Sequence, residues 1–587
     1  MKKIKIFSSN CLSIWSQKIC YVSPINWMLK LHHVKFSASK DEYQWTDPYF
    51  LVSPEEFNLE KTYNMLLEEE IDVVAFSVYI WNKKEFFEMA EFFKKKNPNL
   101  TIIVGGPELD AHRDKEFFRK YDFIDWVIYG EAEIAFSRLL DHLAGHEVNL
   151  LNVISKQGFI SEHEPVNKKD DILKYSIYIE FENEITKFLK GLRDRGVFYA
   201  LCWETTKGCP FLCSFCDWSS GLHHKVRIWG KDELVPNWKK ELNLFSKIGV
   251  PSIYWTNPNV GLTPQDTEIV DYICDLKQSK KHTPIFISTQ FSKTKKEHSY
   301  SLLDKMLTYQ VTAGLKFDLQ DLDPVVLDLI DRPEIEWEYH KTLIKNILDK
   351  HSKVKVWGER TNPVWCNFIW GMPGQTLSHI RKNMIESGSL GMFPTHHIFE
   401  LLPNSPAAEP AYQEKYQMKI KRVYLNVADG VDMHPGPISS HWANAVVENF
   451  TLSNKDWFTG VFLFNLYGAL TDYNGVQSDH RQAGLGNEEN YFDNSLVILN
   501  KVINDSYVHF LETDRIEIFF KDRAYGFQNW VGSRRHFLND LFGNDEDKLF
   551  NIRVSLDIPP DIQDNFQHTT KYGLTPENLQ NFVLEKS

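Results

Sequence analysis

Three thiols in a short run carry the plainest chemistry in this chain. Cys209, Cys213 and Cys216 stand in a Cys-x3-Cys-x2-Cys pattern within Glu204–Trp218, with Phe215 just before the last of them. Three thiolates on one loop can clamp a soft metal or an iron-sulfur cluster. If that cluster holds four irons, one iron lacks a protein sulfur and is open to a small-molecule ligand. Zinc is a second reading, because His223 or His224 could complete a Cys3His tetrahedron. A zinc loop, however, gives no reason for the Gly-Cys-Pro lead or for Phe215. A disulfide with a spare thiol fits poorly: Cys11, Cys20, Cys202, Cys274 and Cys366 are scattered and form no framework.

Such a loop needs a rigid base, and Gly196 to Trp203 reads as a buried strand that opens into it. Parallel α/β enzymes keep their chemistry at such strand ends. From Gly196 to about Ala411 further strands are expected at Pro251–Trp255, Pro284–Thr289, Thr312–Leu319, Trp365–Trp370 and His396–Leu402. Six βα units are too few for a closed eight-stranded barrel, so residues 196–411 are expected to form an open, partial one. Upstream, residues 1–145 alternate strand and helix: strands at Ile4–Phe7, Ile71–Val78, Leu100–Val104 and Trp126–Tyr129, and helical spacing over Phe86–Phe93. That alternation predicts a parallel, doubly wound, Rossmann-like sheet. Ligands of such sheets bind beyond the carboxyl ends of the strands. Gly105-Gly106-Pro107-Glu108 and Gly130-Glu131-Ala132-Glu133 fall there, as ligand-wrapping loops or simply as tight turns.

Residues 146–195 read as a linker region, most exposed over Glu162–Asp171, with a small helix within Tyr175–Phe188. Residues 412–587 read as a mainly helical accessory or substrate domain, with Trp457–Tyr467 at least partly a buried helix. His434 and His441 there read as ordinary polar residues. A length of 587 residues implies two or three domains, and an aromatic content of 14% supplies ample material for their cores. The net charge of -13, without a long basic run, argues against a general nucleic-acid binder. The amino terminus is apolar for too few residues to be a signal peptide, and no stretch reaches the length of a membrane span. A soluble, cytoplasmic protein is expected.

The cysteine run resembles the signature of the radical S-adenosylmethionine (SAM) superfamily. The resemblance implies that Cys209, Cys213 and Cys216 hold a 4Fe-4S cluster whose open iron is chelated by SAM, that Phe215 lies against the adenine, and that the barrel is a partial (β/α)6 TIM-type barrel. Strand-end segments match in family order: Asn257–Gly261, Gln290, Gln320–Pro324 with Arg332, Gly371-Met372-Pro373-Gly374-Gln375-Thr376, and Leu402–Pro406. It implies SAM contacts at Gln320, Gly371, Met372, Pro373 and Gly374. Ser77 to Asn82, together with the two glycine turns, resembles the B12-binding domain fused ahead of many radical SAM cores. That likeness implies cobalamin near Ser77, Tyr79, Trp81, Gly105, Gly106, Pro107, Glu108, Gly130 and Glu131. No Asp-x-His-x-x-Gly motif is present: Asp110-Ala-His112 begins like one, but Lys115 stands where glycine should. By analogy the cobalt would lack a histidine ligand, and His112 reads as a surface residue.

Together these likenesses imply a cobalamin-dependent radical SAM enzyme, in the first place a methyltransferase acting on an unactivated carbon or on phosphorus. One SAM would methylate reduced cobalamin, another would give a 5'-deoxyadenosyl radical, and the substrate radical would take the methyl group. The expected partners are a small-molecule or peptide substrate and an electron donor such as flavodoxin or ferredoxin. A B12-dependent radical SAM cyclase or rearrangement enzyme is the alternative. A non-catalytic cobalamin sensor is a more remote one, and the complete cysteine triad counts against it.

Overall fold

The computed structural model describes residues 1–470 except 9–10, 15–16, 52–56, 112–113, 157, 160–165, 167–169, 220–225, 231–234, 289–290, 292–295, 352–363 and 426–440; beyond 470 it describes 507 and 510–512. His112, His223, His224, Gln290, His434, most of the charged stretch at 162–171 and nearly all of 471–587 therefore lie outside the described residues.

The strands in chain order are β1 (Lys2–Ser8), β2 (Cys11–Ile14), β3 (Gln17–Val22), β4 (Tyr43–Trp45), β5 (Tyr49–Phe50), β6 (Val73–Ser77), β7 (Thr101–Gly105), β8 (Trp126–Ile128), β9 (Val153–Ser155), β10 (Gly158–Phe159), β11 (Phe198–Trp203), β12 (Thr206–Lys207), β13 (Arg227–Ile228), β14 (Ser252–Trp255), β15 (Ile285–Ser288), β16 (Leu315–Gln320), β17 (Val364–Trp370), β18 (Phe393–Ile398), β19 (Lys419–Leu425) and β20 (His441–Glu448). The first sheet runs β10-β9-β8-β7-β6-β1-β4, with β5 also on β1. Its members from β4 to β8 pair in parallel, whereas β9 and β10 add antiparallel at one edge. Apolar side chains alternate between two faces. Phe7, Val74, Phe76 and Val104 pack under the helix Lys83–Lys96, and Ile4, Ile6, Ala75 and Ile103 pack under the helices Ile25–Phe36 and Glu133–Leu143. A sheet covered on both faces requires near-continuous apolar strands, which is what made these strands readable in the sequence.

The second sheet, β15-β14-β11-β3-β2, continues through a parallel bridge between Phe286 and Thr312 toward a third, β16-β17-β18. The six expected barrel strands are all present, and β18 begins three residues before the expected His396 and stops at Ile398. Two departures matter for the site. First, β3 pairs in parallel with β11, the strand that leads to the cysteines, so residues 11–22 of the amino-terminal region extend the barrel edge. Tyr21 of β3 then packs edge-on to Tyr254 of β14, with centroids 4.8 Å apart. Second, the carboxyl-terminal region opens with an antiparallel hairpin, β19 and β20, ahead of the expected helix, Asn454–Leu470. The hairpin joins the barrel edge: Val446 N–H donates to Phe399 O at 3.0 Å and Leu401 N–H to Asn444 O at 2.7 Å. Residues 153–155 and 158–159 of the expected linker complete the first sheet instead, and the expected small helix is a pair, Ile177–Glu180 and Glu182–Asp194.

Candidate cofactor site between the two sheets

A cavity of about 290 Å³ lies at the carboxyl ends of the first sheet's strands. Its floor is apolar, from Ile6, Ala75, Ile103 and Ile128; Ser77, Tyr79, Gly105, Gly106, Pro107, Gly130 and Glu131 form its rim. Its far wall is built by Glu204, Lys207, Asp217, Trp218 and Asn404 from the barrel. Asp217 and Trp218 directly follow Cys216, so the cavity borders the cysteine loop. Among the described residues no histidine lines it. An apolar floor and a glycine-rich rim suit a broad, flat cofactor better than a small charged one.

The rim is shaped from within. Buried Asn82 donates its amide to Ser77 O at 3.1 Å and accepts from Tyr79 N–H at 2.7 Å, which turns the chain sharply before the helix Lys83–Lys96. Gly106 has φ +127, and a Cβ there would lie 2.1 Å from Val78 O. The adjacent turn by itself therefore demands glycine there. Trp81 stacks on Tyr79 at 4.6 Å and Glu108 pairs with Lys83 at 3.2 Å, so both stand behind the rim. Burial holds the Tyr79 hydroxyl above its ordinary pKa.

Two buried ion pairs fix the rim to the cysteine loop. The short hairpin β12–β13 brackets that loop, pairing Lys207 with Arg227. Lys207 meets Glu133, and Arg227 grips the Glu131 carboxylate with both of its Nη groups, one of them at 2.7 Å. Glu131 also accepts from Val166 N–H at 2.6 Å. Burial opposes the charge on Lys207, but Glu133, Glu204 and Glu131 outweigh it and hold the amine above its usual range. Burial likewise pushes the neighbouring Glu204 carboxyl up. The sequence placed Glu131 as a ligand contact; its carboxylate is largely spent on Arg227. On the other side, Asn404 donates to Pro107 O at 2.8 Å, tying the loop after β18 to the same rim.

Cys209 and Cys213 are buried, Cys216 is half-buried, and all three are free thiols on one loop. Among the described residues no three His, Cys, Asp or Glu side chains, these thiols included, are placed together as metal ligands. The donor set is nonetheless that of a cluster site: three sulfurs on a loop anchored at Ser214, whose N–H donates to Ile330 O at 3.0 Å and whose hydroxyl accepts from Tyr412 at 2.7 Å. Asn259 donates its amide to Cys209 Sγ at 3.3 Å. Phe215 faces the Arg332 guanidinium, 5.9 Å from its ring centre.

Gln320 ends β16 at a register shift, with φ +63, a strained value for a non-glycine residue. Its buried Oε1 has no hydrogen-bond partner among the described residues. The Gly371–Gly374 turn is different. Gln375 accepts from Gly371 N–H and Met372 N–H, both at 2.9 Å, and Gly374 N–H donates to Thr451 at 3.0 Å. A Cβ on Gly371 would lie 2.8 Å from Val446 O. The hairpin thus crowds Gly371, whereas a Cβ on Gly374 would lie 2.7 Å from Leu329 Cδ1 of the helix Pro324–Leu329. Sequence reasoning missed Lys207 and Arg227, and read Asn82 and Glu133 only as parts of turn segments; the glycine turns pointed to the region but not to their charge partners.

The B12 binding domain family matches residues 49–140 and the Radical SAM superfamily matches residues 203–384. The chain is 27% identical over 407 residues to the cobalamin-dependent radical SAM methyltransferase TokK of Streptomyces tokunonensis, covering 66% of this chain and 56% of that protein. It is 25% identical over 403 residues to the 2-(S-pantetheinyl)-carbapenam-3-carboxylate methyltransferase of Streptantibioticus cattleyicolor, covering 66% of this chain and 55% of that one. The match thus spans a little over half the length of these curated relatives. In fold the chain resembles the cobalamin-dependent S-adenosylmethionine radical enzyme OxsB, solved with aqua-cobalamin and S-adenosylmethionine, at a TM-score of 0.55 and 13% identity, covering 100% of this chain and 84% of that one. Among the described residues no helix is long and apolar enough to cross a membrane.

Proposed function

We propose that this chain is a cobalamin-dependent radical SAM methyltransferase, because residues 49–140 match the B12 binding domain family and residues 203–384 the Radical SAM superfamily. The observation that carries the proposal is the single cavity bounded on one side by the glycine rim and on the other by the residues that follow Cys216. Bound here, a 4Fe-4S cluster with SAM would supply a hydrogen-abstracting radical, and cobalamin would supply the methyl group. Cys209, Cys213 and Cys216 would hold the cluster. Ser77, Tyr79, Gly105, Gly106, Pro107, Gly130 and Glu131 would line the corrin, with Trp81 and Glu108 supporting them. Gln320 would meet SAM with its unpartnered amide oxygen, Phe215 would lie beside the adenine, and Gly371, Met372, Pro373 and Gly374 would back that side. Among the described residues no histidine lines the cavity to serve as a cobalt ligand.

The protein's own work is to hold these groups in register and to exclude water. Glu131–Arg227 and Glu133–Lys207 do the first, and the hairpin β19–β20 with the helix Asn454–Leu470 does the second at the barrel edge. The substrate is a small molecule or peptide, reduction comes from a donor such as flavodoxin or ferredoxin, and the setting is cytoplasmic. Anaerobically reconstituted protein, reduced with titanium(III) citrate and given methyl-labelled SAM, should place label on cobalamin in the absence of any acceptor. Deoxyadenosine formed while cobalamin stays unlabelled would refute methyl transfer and favour the cyclase or rearrangement reading. Cobalamin retained with neither product would favour the sensor.

A further inference from the structure

The loop after β14 is clamped at both ends. Asn257 accepts from Thr205 N–H at 2.9 Å and Thr206 N–H at 3.0 Å, and donates to Thr205 Oγ1 at 2.8 Å. Four residues on, Gly261 N–H and Thr263 N–H donate to Asp266 Oδ2 at 2.9 Å and 3.1 Å. Between the two clamps Asn259 is buried, 7% exposed, and its Nδ2 points at Cys209 Sγ, itself 5% exposed, at 3.3 Å. An amide on a loop held at both ends is preorganised, and in a buried setting its dipole acts on the sulfur with little screening by water.

From this geometry we propose that Asn259 is a positioning residue that sets the reduction potential of the cluster held by Cys209, through an N–H···S hydrogen bond. The inference rests on the cluster reading above. A donor aimed at a thiolate stabilises negative charge on sulfur. The one-electron-reduced cluster carries more of that charge, so the hydrogen bond favours reduction and raises the potential. The electron enters from an external one-electron reductant, and no bond in the protein forms or breaks. Asn257, two residues away, bonds to the Thr205 and Thr206 backbone and to the Thr205 and Asp266 side chains. It sets the loop's shape without facing sulfur, which makes it the structural control.

The test is a potentiometric titration of the full chain, reconstituted anaerobically with iron and sulfide and poised with titanium(III) citrate, the reduced cluster being read by electron paramagnetic resonance. Asn259→Leu, which removes the donor, should shift the midpoint to a more negative value at unchanged iron content. Asn259→Asp keeps the shape but turns an oxygen toward sulfur, so it should shift the midpoint the same way and serves if the leucine variant does not fold. Asn259→Ser, with a shorter donor, should recover part of the shift. Asn257→Ala should lower cluster yield and leave the midpoint in place. An unchanged midpoint in fully loaded Asn259→Leu or Asn259→Asp would overturn the inference while leaving the cluster reading intact. Failure of the unaltered protein to take up a cluster would instead overturn the reading beneath it.

Discussion

Replacing Arg227 by methionine should cost far more than removing any surface cation. The Arg227 and Glu131 side chains are only 2% and 1% exposed. The guanidinium meets both carboxylate oxygens and the Val166 carbonyl. Without it, Glu131 keeps the Val166 N–H at 2.6 Å but loses the guanidinium that meets both of its oxygens. Breaking one partner of such a pair costs about 3–5 kcal/mol. At about 1.4 kcal/mol per tenfold, that is roughly two to three and a half orders of magnitude in the equilibrium that docks the rim on the cysteine loop. Lys187→Met is the control, because Lys187 and Asp47 pair at 3.1 Å with side chains 76% and 78% exposed. That change should cost about 0–1 kcal/mol. The assay is equilibrium urea unfolding, with limited proteolysis of the cysteine loop as a local probe. The double change Glu131→Leu with Arg227→Met should recover most of the loss, since it leaves no charge behind. If Arg227→Met falls within about 1 kcal/mol of the Lys187 control, the rim and the loop are not held by this pair and the argument for their fixed register fails.

Gly106→Ala should destabilise the chain by on the order of 3 kcal/mol and abolish cobalamin retention, because φ +127 and a Cβ 2.1 Å from Val78 O cannot both be relieved. Gly145→Ala, with φ +95 but open space around it, should show only the smaller conformational penalty, and equal midpoints in urea for the two variants would count against the clash. Glu85, 4% exposed in the first turn of its helix, has its carboxyl pushed up to about 7 by burial. In the unfolded chain it ionises near 4.5, so the folded state holds the proton more tightly. Its contribution is therefore fully present below pH 4.5 and is lost as pH rises through about 7. Glu85→Gln should flatten that part of the stability profile and gain a few kcal/mol at pH 8, on the order of 1.4 kcal/mol for each pH unit of the raised pKa. A slope between pH 5 and 7 that survives the substitution would place the titration elsewhere.

Much of the architecture was already written in local pattern. The apolar runs at Ile71–Val78 and Leu100–Val104 read as strands covered on both faces, and Leu100–Val104 and Trp126–Tyr129 each open into a glycine turn at the end where such sheets bind ligands. The triad Cys209, Cys213 and Cys216 declares its chemistry because spacing within one loop is a property of sequence. What the sequence did not reveal depends on pairs far apart in the chain. Glu131 and Glu133 read as parts of a glycine turn, yet their partners lie 96 and 74 residues away, at Arg227 and Lys207. The strand at Gln17–Val22 carries no mark of its destination, because strand pairing is decided by backbone hydrogen bonds that any residue can make. The glycines of Gly371–Gly374 read as a ligand approach, and the fold shows a packing demand the sequence did not: they make room for Val446 and Leu329. Sequence therefore determined which groups can do chemistry and at which strand ends they sit. Only the tertiary structure decided which charges face one another across the cavity, since Coulomb and packing terms depend on distance in space and not on order in the chain.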